Sequence, residues 1–71
     1  MNLNKRFEKE KVMMEQIELL ESQHEILLID ITEGLETQEK IEELHKLDRT
    51  IDHRRRMYEL HVKQTNKLIY G

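Results

Sequence analysis

Apolar residues recur through the first half of the chain in steps of three and four. Leu3, Phe7, Met13, Met14, Ile17, Leu20, Leu27, Leu28 and Ile31 share one side of a helix in a seven-residue register. This is the wide stripe of a helix packed in a bundle. Glu10 and His24 are polar residues within it. A second line, Val12, Leu19 and Ile26, repeats every seven residues on a neighbouring face. One partner helix cannot cover both lines, so they predict two neighbours, with Val12, Leu19 and Ile26 at an oligomer interface as in a four-helix bundle. The alternative is that these three are scattered surface apolars, which are common. Glu8, Lys11, Glu15, Glu18, Glu21, Ser22 and Glu25 lie on the solvent side, as solvated surface or an acidic face for a basic partner.

The period stops at Thr32-Glu33-Gly34-Leu35-Glu36-Thr37, which holds the first of only two glycines. Gly34 suits the left-handed conformation that closes a helix. Thr37 can cap the next helix, with Gln38 and Glu39 in its first turn, and Leu35 would fold back over Ile31 or Ile41. A short connection makes the two helices antiparallel. The pattern resumes with Ile41, Leu44, Leu47, Ile51, Met57, Tyr58, Val62, Leu68 and Ile69, interrupted by Asp48 and His53-Arg54-Arg55-Arg56. The prediction is an all-α, two-helix antiparallel hairpin, about 3–32 and 38–69, forming one domain over 1–71 and assembling into a helical bundle. Opposed residues should have numbers summing to about 71. That sets Arg54 to Arg56 against Glu15 and Glu18, and His61 against Glu10. The arginines then read as register-fixing ion pairs or as a basic patch for phosphate or an acidic partner. The weakly basic tail from Lys63 onward is a candidate for fraying.

Composition narrows the picture. The chain has 71 residues, 38 % of them charged, no proline and no cysteine. Disulfides are therefore excluded, and no Cys/His cluster suggests structural zinc. Ordering each residue costs roughly 1.5 kcal/mol, which a single helix–helix seam barely offsets. A homo-oligomer, with a dimer as the simplest case, is the expected remedy. A net charge of −3 argues against a chain built to coat nucleic acid, and Tyr58 and Tyr70 are too few for a base-stacking platform. The N-terminal residues lack the apolar core of a signal peptide. Ile26-Leu27-Leu28-Ile29 falls far short of the ~20 residues of a membrane span. Absence of cysteine fits a reducing compartment, so the expected location is cytoplasmic, with no membrane partner.

Candidate chemistry is sparse. Glu21/His24 and Glu42/His45 each have the Glu-x-x-His spacing of di-metal bundles, but His45 and Glu42 fall on the outer face. His45, His53 and His61 drift round their helix. No metal and no cofactor is expected, and no phosphate loop or nucleophile set is present.

The stretch from about Leu19 to Ile51 resembles the small Spo0E-like aspartyl-phosphate phosphatases of spore-forming bacteria. The likeness lies in an apolar-patterned first helix, Gly34-Leu35, Thr37, Ile41, Leu47-Asp48 and Ile51. The family signature is Ser-Gln-Glu-Leu-Asp-x-x-Ile; here it is Leu44-His45-Lys46-Leu47-Asp48-Arg49-Thr50-Ile51, so the Leu-Asp-x-x-Ile half is kept and the Ser-Gln-Glu half is absent. The resemblance implies a two-helix hairpin acting on a phosphorylated response regulator, with Asp48 as an acidic group at the contact surface. Read from the residues alone, the leading expectation is a non-enzymatic hairpin that homo-oligomerises and binds a protein partner as a regulator, antirepressor, adaptor or phage- or plasmid-type inhibitor. Its partner-binding residues are Arg54, Arg55, Arg56 and Tyr58. Nucleic-acid binding by a hairpin dimer is the third and least favoured reading.

Overall fold

The computed structural model describes residues 2–34 and 38–71. Two helices, α1 (Leu3–Thr32) and α2 (Gln38–Tyr70), lie side by side as a hairpin. α1 starts where Asn2, in extended conformation, accepts the Lys5 N–H through its side chain at 3.3 Å, satisfying one of the donors a helix start leaves orphaned. α1 ends as its residues require. Glu33 N–H donates to Ile29 O at 2.9 Å and Gly34 N–H to Ile31 O at 3.2 Å. Gly34 has φ of +83°, the left-handed cap expected of it. The expected roles of Leu35 and Thr37 lie outside the described residues. α2 carries Glu39 in its first turn and Lys67 in its last, both favourable to the helix dipole. It stays helical through the basic tail to Tyr70.

The antiparallel register matches the arithmetic of the sequence. Residues 6 and 65, 10 and 61, 16 and 54, 24 and 48, and 30 and 40 are in side-chain contact, each pair adding to between 70 and 72. With Ile17 and Ile51 taken as a positions of the seven-residue register (letters a to g), the seam follows the a and d positions closely. It runs through Leu3, Arg6, Glu10, Met13, Ile17, Leu20, His24, Leu27 and Ile31 of α1, and Leu44, Leu47, Ile51, Tyr58, His61 and Thr65 of α2.

The seam is narrower than the apolar stripe suggests. Phe7, Leu28, Met57, Leu68 and Ile69 are exposed, because their e, g or end positions flank a two-helix contact and no third helix covers them. Among the described residues only Ile17, at 2 % exposure, and Ile51 are buried apolar side chains. The molecule is a rod of 51 × 15 × 14 Å with 5810 Å² of accessible surface. A compact monomer of this mass would expose about 4,700 Å². No helix among the described residues is long and apolar enough to cross a membrane.

Candidate functional site

The seam itself holds two polar sites. At the end remote from the turn, Thr65 is 2 % exposed and its hydroxyl joins three neighbours. It accepts from Arg6 Nε at 2.9 Å and lies 2.8 Å from Glu10 Oε1 and 3.0 Å from its own helix's His61 O. The hydroxyl has one hydrogen, so the carboxylate and the carbonyl compete for it. His61 Nδ1 lies 3.2 Å from the same Glu10 oxygen, the facing pair anticipated in the sequence. Arg6 and Thr65 had no place in the apolar stripe. They become visible only when strict seven-residue steps are carried out from Ile17 and Ile51, whatever residues they land on. This cluster is a structural layer: its groups face one another across the seam.

Nearer the turn, His24 Nε2 lies 2.6 Å from Asp48 Oδ1. The contact is close but off-axis, so this enclosed nitrogen has no partner in hydrogen-bonding geometry. Asp48 itself is largely exposed. His45 and Glu42 are exposed on the outer face as expected. Among the described residues no three His, Cys, Asp or Glu side chains come together as a metal site.

The arginine run fans out rather than forming one patch. Arg54 Nη1 donates to Gln16 Oε1 at 3.2 Å. Arg55 pairs with Glu21 on the other side of the seam, and Arg56 pairs with Asp52 of its own helix at 2.9 Å. Pairing with Glu15 and Glu18 is thus corrected: those residues are exposed at positions f and b, pointing away from α2, although their numbers fit the register. Consecutive helix residues diverge by about 100°, which separates the three guanidinium groups. Arg55 and Tyr58 line one groove with Met14, Ile17 and Glu21. Arg54 lines the opposite groove with Val12, Met13, His53 and Met57.

The molecule therefore has two flanks. One carries Val12, Leu19 and Ile26, exposed by 50, 61 and 60 %, with Met57 and Leu60 also exposed. The other carries exposed Phe7 and Leu28 about a charged centre formed by Glu21, Arg55 and Asp48. Each flank carries a groove running alongside the seam, one lined by Val12, Met13 and Met57 and the other by Met14, Ile17 and Tyr58. No family model matches the chain, and no curated protein or solved structure matches it either.

Proposed function

We propose that this chain is a non-enzymatic helical hairpin that self-associates and binds a protein partner as a regulator, adaptor or inhibitor, acting in the cytoplasm. The observation that carries this reading is the exposure of large apolar side chains on both flanks of a seam whose only buried apolar side chains, among the described residues, are Ile17 and Ile51. Exposed apolar surface on this scale marks interaction sites. Val12, Leu19 and Ile26 serve assembly. Arg54, Arg55, Arg56 and Tyr58 serve the partner, with Arg55 and Tyr58 sharing one groove. Sedimentation equilibrium tests assembly: wild type should be a dimer or larger, and Leu19→Glu should dissociate it. A folded monomer for wild type would refute self-association. For the partner, Arg55→Glu with Tyr58→Ala should abolish co-purification from the native host, while the Leu19→Glu chain defines the contribution of assembly.

A second reading, phosphatase action on a phosphorylated response regulator, is favoured by one observation. Asp48 offers an exposed carboxylate held against His24 at the position the family resemblance marks. Added to a phosphorylated regulator, the chain should shorten its phosphate half-life, and Asp48→Ala should remove the effect. An unchanged half-life with wild type would exclude it.

A further inference from the structure

The line Val12, Leu19, Ile26 continues at the same helical position to Lys5 at one end and to the C-cap Glu33 at the other. It thus runs cation, three apolar residues, anion. Laid antiparallel on a copy of itself about a two-fold axis at Leu19, it is self-complementary. Lys5 meets the partner's Glu33, Val12 meets the partner's Ile26, and Leu19 meets the partner's Leu19. The adjoining line is offset by one residue but similar: Gln16 comes near the partner's Gln23, and Lys9 near the partner's Asp30, a carboxylate that also pairs with Lys40 of its own chain. On the same flank of α2, Glu39 and Lys67 stand equally far from His53, so Glu39 meets the partner's Lys67. The centres of the two lines, residues 19 and 53, lie opposite each other in the hairpin register, as do 24 and 48 or 16 and 54. One axis therefore serves both helices.

We infer that the hairpin pairs with a second copy of this chain through the Val12–Leu19–Ile26 flank, with the two turns at opposite ends and α1 antiparallel to the partner's α1. The inference rests on the self-association through this face proposed above and adds orientation and register to it. The other two-fold stacking, turns at the same end, sets α1 on the partner's α2. It brings Lys5 against the partner's Lys67 and Glu33 against the partner's Glu39, so the end charges that attract in the first stacking repel in this one. Like charges at both ends oppose it. The opposite flank lacks the symmetry too: an antiparallel pairing there brings Arg55 near the partner's Arg55 and Glu18 near the partner's Glu18. Size also fits. A face 51 Å long and 15 Å wide offers on the order of 800 Å² per protomer, the share of a standard stable interface.

The chain has no cysteine, so introduced thiols report without background. Sedimentation equilibrium on wild type comes first; a monomer would overturn both the inference and the self-association beneath it. Given a dimer, Leu19→Cys treated with a short bismaleimide should become a covalent dimer. A mixture of Lys5→Cys and Glu33→Cys should cross-link one variant to the other, while neither alone links to itself, since its thiols lie about 40 Å apart at 1.5 Å of rise per residue. Lys5→Glu should weaken dimerisation several-fold, and adding Glu33→Lys should restore it. A dimer that instead cross-links Lys5→Cys to Lys67→Cys would overturn the orientation. One that cross-links Glu21→Cys to itself and not Leu19→Cys would overturn the face. In both cases self-association would stand.

Discussion

The two halves of the seam are made of different material. Towards the turn the seam is mostly apolar, with Ile17, Leu20, Leu27 and Ile31 of α1 and Leu44, Leu47 and Ile51 of α2, broken by His24 and by the Lys40–Asp30 pair. Towards the open end, Arg6 and Glu10 meet His61 and Thr65 through direct hydrogen bonds. The apolar half supplies water-excluding contact that tolerates a shift of one helical turn, because leucine and isoleucine are interchangeable knobs. The polar half does not tolerate it, since a slip would strand the largely buried Glu10 carboxylate away from Thr65 and His61, at a cost of about 1–3 kcal/mol for an unsatisfied group. Stability and register are thus assigned to opposite ends of one contact.

The contrast predicts a graded series. Ile17→Ala should be the most damaging change, as this residue is the best buried apolar one at the boundary of the apolar half. Truncating a buried isoleucine costs about 2–5 kcal/mol, which for so small a core should shift the urea midpoint drastically or unfold the chain by circular dichroism. If stability barely changed, the apolar half would not be the source of stability.

Glu10→Ala comes next. It removes the carboxylate that His61 Nδ1 faces and leaves the Thr65 hydroxyl only its own helix's His61 O as acceptor, and should cost about 1–3 kcal/mol in thermal melts. Replacing the facing pair together, Glu10→Leu with His61→Leu, should recover most of that loss, because a well-packed apolar pair substitutes for a buried polar one at little cost. Its signature would be heterogeneity: multiple amide resonances for residues near the open end, as slipped registers become populated. A double variant with one sharp set of resonances would show that the polar layer does not set register.

Much of this is legible in the sequence. Unbroken helix formers on both sides of Gly34 defined the two helices, and the shared register placed Glu10 opposite His61. The polar layer was harder to see because a stripe drawn through apolar residues follows Phe7 and passes over Arg6, whereas the seam follows position. The arginine partners failed for a related reason. Number sums give axial level, but whether a side chain meets its opposite depends on its direction round the helix, and Glu15 and Glu18 point outward. The candidate interaction flanks were visible only in part. Val12, Leu19 and Ile26 were evident as a line, yet the opposite flank emerged only once Phe7 and Leu28 were found outside the seam.

The smallest expected effect concerns the turn that closes the apolar half. A methyl group added at Gly34 meets no atom within 4 Å, so nothing clashes, but φ of +83° puts any side chain in a region that costs roughly 1 kcal/mol or more. Gly34→Ala should therefore lower the melting temperature by only a few degrees, on the scale of ~1 kcal/mol for a domain of this size, and leave the resonances of the open end unmoved. The polar layer lies 24 to 31 residues from Gly34 along the two helices and holds register without help from the turn. If Gly34→Ala instead disturbed Thr65 and His61, the turn and not the polar layer would be dictating which residues face each other, and the division between the two ends would fail.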